Sequence, residues 1–252
     1  MPILLYEDKN FLALYKPAGV LVHEAHSMKH EAKNAPRSTF PVSGNLTLVD
    51  WLVKNYPEVK KVGDEPEIRP GIVHRLDKDT SGVILVARNQ KYFEYLKKLF
   101  QNHQIKKTYL ALIWGKLEPK VGVIKKPILV KGGTVKRTVW RGKMEKSAVT
   151  EYEVLKNFNI TNPDDRHNLL YFSLVEVSPK TGRTHQIRVH LASIGHPVVG
   201  DALYGPKTNP FGLNRQFLHA ASLEFNAAQG KRIRIDAELS PELKAVLKSL
   251  TK

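Results

Sequence analysis

Residues 71–88, GIVHRLDKDTSGVILVAR, put His74, Arg75, Asp77, Lys78 and Asp79 directly before Thr80-Ser81-Gly82 and the apolar run VILVA. Charged groups beside a strand that is about to be buried are costly unless paired, so they require a structural or chemical reason. If the stretch is extended, Asp77 and Asp79 face one way and Lys78 the other, because strand side chains alternate. One carboxylate can then act as a nucleophile, with a nearby arginine keeping it ionised and oriented. Alternatively, Asp77 and Asp79 can hold Mg²⁺ in an aspartyl-phosphate phosphatase, although that motif normally ends an apolar strand, where here His74-Arg75 stand. The purely structural alternative is a charged turn tied by the hydroxyls of Thr80 and Ser81.

A second cluster is KTGRTHQIRVHL, residues 180–191, which carries Lys180, Arg183, His185, Arg188 and His190 in and before an amphipathic helix. Backbone N–H groups at a helix start and cationic side chains both suit anions; the alternative is a basic solvent face. Arg188 follows Ile187, a core-facing position, so it lies near the core boundary and needs a carboxylate partner, for which Asp77 is a candidate. His23, His26 and His30 have helical spacing but sit in a polar, proline-bearing stretch without cysteine, so no metal site is expected there. His185 and His190 are poorly spaced as ligands, and packing or nucleic-acid contact is expected of them.

These residues must be positioned by recognisable elements. ILLYEDKNFLALYKP reads as a hairpin about Glu7–Asn10. Residues 24–45 read as a long polar loop. Thr47 caps a helix that runs to Asn55 and is stopped by Pro57, and Asn89 caps another carrying Tyr92, Phe93, Leu96, Leu99 and Phe100. From there TYLALIWG, VGVIKKPILV, AVTEYEVL, LLYFSLVEV, FLHAASLEF and KRIRIDAEL are strand-like. Ser240-Pro241 opens a terminal helix. The pattern predicts one α+β domain on an extended mixed, largely antiparallel sheet.

The composition narrows the chemistry. The 252 residues hold 40 Lys and Arg against 24 Asp and Glu, a net charge of +16. From Lys91 to Lys146 there are 15 cations and 3 acids, which points to a polyanion such as nucleic acid. Within this segment Gly132-Gly133 suggests a hairpin tip. Trp140 stands among cations, either stacking on an exposed base or packed in the core. Without cysteine there is no disulfide, thiolate metal site or thiol nucleophile. No apolar run approaches the ~20 residues that span a bilayer, and the N-terminus turns acidic too early for a signal peptide. The expected compartment is the cytoplasm, with no membrane partner.

Taken together, the segments resemble the RluA-type RNA pseudouridine synthases over nearly the whole chain. The resemblance rests on DKNFLALYKPAGVLVH, on HRLDKDTSG within the first stretch, on KKTYLALIWG, on TGRTHQIRVHLASIGHPVVGDALYG and on RQFLHAASLEF, in that order. It implies the pseudouridine synthase fold, with a central catalytic cleft in a single domain over 1–252 that lacks an N-terminal S4 RNA-binding module. Residues 24–45 would be an insertion. Residue by residue, it implies Asp77 as nucleophile and Arg188 as its ion-pair partner. Tyr109 would stack on the target base and accept a proton. Arg75 would take the place of the flipped uridine in the RNA stack, Ile187 would be an apolar wall beside the uracil, and His74 joins the substrate-binding residues. Attack falls on C1′ or on uracil C6, and Asp77 or Tyr109 removes the C2′ proton. Isomerisation needs no cofactor and no metal. The implied partner is RNA, 23S ribosomal RNA first and tRNA second, with a monomeric enzyme and no obligatory protein partner. A non-catalytic RNA-binding protein of the same fold is the remaining alternative, disfavoured because Asp77, Tyr109 and Arg188 are all present.

Overall fold

The two apolar runs around the first polar turn pair as β1 (Ile3–Glu7) and β2 (Phe11–Lys16). Asp8 shapes the turn, its carboxylate accepting the Asn10 and Phe11 N–H groups at 2.7 and 2.9 Å. Thr47 and Asp50 form a capping box on α1 (Leu48–Asn55), and Pro57 opens a 3₁₀ turn, Pro57–Lys61, directly after it. Asn89 caps α2 (Gln90–Gln101) by accepting the Tyr92 N–H at 2.9 Å. In the computed structural model, residues 1–23, 46–132, 134, 136–162, 165–228 and 230–251 are described. The 24–45 loop, with His26 and His30, and Gly133 lie outside the described residues.

The chain gathers into two compact units, Met1–Asp79 with Val83–Gln104, and Thr80–Gly82 with Ile105–Lys252. In the first, β2 lies between β1 and β3 (Ser81–Ala87), which belongs to this unit from Val83 onwards. β3 is buried along its whole length, so its sequence is continuously apolar rather than alternating. Leu12, Leu14, Leu48, Leu52, Ile84 and Val86 form the core of this unit.

The second unit is mainly antiparallel. Its chain runs through β4 (Lys106–Trp114), β5 (Val121–Lys125), β6 (Ile128–Val130), β7 (Arg137–Thr138) and β8 (Lys143–Lys146). It continues through the long hairpin β9 (Val149–Asn162) and β10 (Asp165–Pro179), α3 (Gln186–Ala192), β11 (Leu218–Asn226), β12 (Arg232–Asp236) and α4 (Pro241–Ser249). Strands neighbour one another in the order β11-β4-β10-β9-β5, with β12 on β11, while β6 pairs with β7 and β8 in a small separate sheet. VGVIKKPILV, a single strand-like run in the sequence, is therefore split between two sheets. Pro127 sits at the break, where it removes a ladder donor.

Ser81 and Gly82, the first residues of β3, pair in parallel with His219 and Ala220. This gives the expected α+β fold its mixed sheet. Gly82 has φ +122°, and a methyl group there would collide with the backbone of Ala220. Gly82→Ala is expected to lower stability by about 3 kcal/mol through strain and clash. An unchanged urea midpoint would show that the strands can separate at no cost.

Candidate active site

The Asp77 loop is anchored by the first unit without using the Asp77 carboxylate in any of the following contacts. Ile72 bridges to Val86 before the loop begins. The Leu85 N–H donates to His74 Nε2 at 2.9 Å, so the neutral ring carries its proton on Nδ1, and the ring stacks on Phe100 at 4.4 Å between centroids. Leu76 is buried, Asp77 half-buried and Arg75 exposed. Lys16 is fully buried, and its ammonium donates to the carbonyls of Pro17, Val20 and Lys78 at 2.8, 2.9 and 2.9 Å. All three of its protons are thus satisfied. Gly19 N–H donates to the same Lys78 carbonyl at 3.0 Å, so the peptide between Lys78 and Asp79 is held by two donors. Lys78 and Asp79 form a turn, so the alternation expected of an extended segment does not apply to Asp77 and Asp79. Strand β3 also follows the carboxylates instead of preceding them, the reverse of the phosphatase arrangement.

Thr80, Ser81 and Gly82 are held by the second unit. Arg215 Nη2 donates to Ser81 Oγ at 3.3 Å, and Ser81 Oγ lies 2.9 Å from His219 Nδ1. His219 Nε2 lies 3.0 Å from the Ala237 carbonyl, which can only accept. The proton of His219 therefore sits on Nε2, and Ser81 donates to Nδ1. Burial lowers the His219 pKa, which keeps the ring in this neutral form. Gln216 donates to Thr80 Oγ1 at 3.3 Å. RQFLHA, whose fit in the sequence was only that of a closing segment, thus supplies the anchors of Thr80-Ser81-Gly82.

The α3 segment is equally well tied down. Gln186 accepts from Thr181 Oγ1 and the Arg183 N–H at 2.7 and 3.0 Å, and it donates to the Val149 carbonyl and Thr150 Oγ1, both at 3.0 Å. His190, also held neutral by burial, donates to the Lys126 carbonyl at 2.9 Å and receives the Thr150 hydroxyl at 2.9 Å. Between them Arg188 is 5% exposed and Asp201 1% exposed. Arg188 Nε and Nη2 donate to the two oxygens of Asp201 at 2.6 and 2.8 Å, a bidentate buried pair. Asp201 Oδ1 also accepts the Leu203 and Tyr204 N–H groups at 2.9 and 3.2 Å. The Tyr204 ring receives the Arg188 guanidinium at 5.2 Å, and its hydroxyl meets His185 Nδ1 at 2.9 Å. Burial raises the Tyr204 pKa, so the phenol stays protonated.

The sequence reading required a carboxylate for Arg188 and offered Asp77. Within the second unit that carboxylate is Asp201. The signal was present in GDALYG, an Asp opening a glycine-punctuated turn. Ile187 is buried in the core of the second unit, and Tyr109 on β4 packs against the same cluster. Tyr109 pairs with Val177 and Ala220 on its two sides. The structure thus brings Tyr109, Ile187 and Arg188 together in one unit and places His74, Arg75 and Asp77 on one loop of the other.

The family model described as RNA pseudouridylate synthase matches residues 10–193, a span that holds all six of these residues. The chain belongs to that family. An RNA pseudouridine synthase of Chloroflexus aurantiacus is 38% identical over 239 residues, 93% of this chain and 65% of that protein. Ribosomal large subunit pseudouridine synthase C of Pasteurella multocida is 33% identical over 254 residues, 98% of this chain and 67% of that protein. This chain therefore spans about two thirds of their length. The solved structure of human RNA Pseudouridylate Synthase Domain Containing 1 has a TM-score of 0.71 at 22% identity, covering 100% of this chain and 95% of that one, which shows the shared fold. Membership places the chain among the RluA-type proteins, as its motifs implied.

Lys107, two residues before Tyr109 and on the same side of β4, was not singled out by the sequence reading. Its amine donates to the Thr181 carbonyl at 3.0 Å. Burial, reinforced by Arg183 and Lys180, lowers its pKa to about 8. Isotope-edited NMR of the lysine amines is expected to show Lys107 titrating near pH 8; a midpoint in the ordinary lysine range would remove the burial argument. Because the folded value lies below the unfolded one, the stability contribution of Lys107 rises with pH from about 8 to the ordinary lysine value of 10.5. Asp201→Asn leaves Arg188 buried beside a neutral group and is expected to lower stability by about 3–5 kcal/mol in urea unfolding. A variant as stable as the parent would mean that another group carries the compensation.

Proposed function

We propose that this protein converts uridine to pseudouridine in large-subunit ribosomal RNA, with Asp77 as nucleophile after the target base is flipped out. The observation that carries the reading is the family match, which spans Asp77, Tyr109 and Arg188. The large-subunit names of relatives such as that of Pasteurella multocida favour ribosomal RNA over tRNA. Arg188, its guanidinium fixed by Asp201, is the cationic residue of the proposed reaction.

The reaction conserves atoms and electrons. The N1–C1′ bond breaks, the uracil turns, and C5 bonds to C1′; C5 loses a proton and N1 gains one. The Asp77 carboxylate supplies the electron pair that holds the sugar while the base turns. Tyr109 supplies a flat face for the uracil, and Ile187 backs it with apolar surface. Arg75, exposed on the loop, fills the gap that the uridine leaves. Flipping costs a few kcal/mol, which stacking and polar contacts in the pocket offset.

Asp77→Asn keeps the shape and removes the nucleophile. It is expected to yield no pseudouridine in single turnover while binding RNA within about threefold of the parent protein. Product from the purified variant would sink the assignment. Mapping pseudouridine in total RNA with and without the protein identifies the substrate, and a mark in tRNA alone would replace the ribosomal reading.

A further inference from the structure

Trp140 is 75% exposed, so it is not a core residue, and an exposed indole amid cations calls for an explanation. Its turn is built. The Trp140 N–H donates to Thr138 Oγ1 at 3.1 Å. On the other side, Gly142 lets β8 approach β6 so closely that a methyl group there would collide with the Val130 carbonyl. The Lys126 ammonium lies 5.1 Å from the indole centroid and is itself fixed by the Ser193 carbonyl at 2.9 Å.

The surroundings are strongly cationic. Residues 125–146 carry eight Lys or Arg and one Glu. Every residue of β8 is exposed, whereas Ile128 and Leu129 of β6 are buried, so the small sheet is rooted on one side and open on the other. It also adjoins the Arg188 site, because the Arg137 N–H donates to the Tyr204 hydroxyl at 2.8 Å, and the Tyr204 ring receives Arg188.

We propose that the outer face of the β6-β7-β8 sheet docks single-stranded RNA beside the target uridine, with one base stacked on Trp140. This rests on the RNA reading above and adds to it a subsite with its own chemistry. Phosphates lie along Lys136, Arg137, Arg141 and Lys143, and the indole accepts any base because every base has a π-face. A duplex is excluded as the occupant because its base faces are already stacked, and an A-form major groove is too narrow to offer them.

The 252-residue protein is assayed by filter binding with single-stranded oligouridylate and with a hairpin duplex, and by turnover on ribosomal RNA. Trp140→Ala is expected to weaken oligouridylate binding about tenfold, and Trp140→Phe to restore most of it. Duplex binding is expected to change by less than about twofold, and the loss in turnover falls on KM rather than kcat. Reversing charge at Lys136, Arg137 and Arg141 flattens the salt dependence. Parent-level oligouridylate affinity in Trp140→Ala overturns the subsite alone. A parent protein that binds and modifies no RNA overturns the RNA reading and the subsite together.

Discussion

A charged segment that leads into a buried strand, and is itself neither helix nor strand, must have its backbone polar groups satisfied by other parts of the chain. Residues 71–82 meet that constraint by being tied at both ends. Before and beside Asp77 the ties come from His74, Leu76 and the buried ammonium of Lys16, which shares the Lys78 carbonyl with Gly19. After it they come from Thr80, Ser81 and Gly82, each fixed by residues 215–220. None of these ties uses a carboxylate. These ties act on the loop's backbone and on its imidazole and hydroxyl groups.

Arg188 presents a different problem, a cation buried in the fold. An unpaired guanidinium there would cost several kcal/mol, so Asp201 takes two of its donors and Tyr204 covers its face. Asp201 is in turn held by backbone N–H groups, which favour its ionised form. Gln186 and His190, two residues to either side, use their polar atoms within the fold. The pair is thus fixed from both sides by the fold.

Neutral histidines recur in both anchoring networks. His219 and His190 each donate from Nε2 to a carbonyl and accept a hydroxyl at Nδ1, and burial lowers the pKa of both. Protonation would set two donors against a donor, so both networks weaken as pH falls below the unfolded value of 6.5.

Local rules were sufficient for most elements. Caps at Thr47 and Asn89, the Asp8 turn, the apolar run of β3 and the Ser240-Pro241 helix start all depend on residues within a few positions of one another, so the sequence displays them directly. The ordered motifs likewise marked Asp77, Tyr109 and Arg188, because their spacing within each segment is local. Tertiary structure decided what depends on distant contacts. Lys16 is buried because the Lys78 carbonyl, distant in sequence, joins the nearby carbonyls of Pro17 and Val20 around its ammonium. Arg188 acquires Asp201 only when the chain turns back after α3. Pro127 divides one apolar run between two sheets, and Trp140 lies outside because β6 alone among its neighbours carries the apolar root. Alternation failed at Asp77 and Asp79 for the same reason: a turn fixed by Lys16, far away in sequence, overrides the local period.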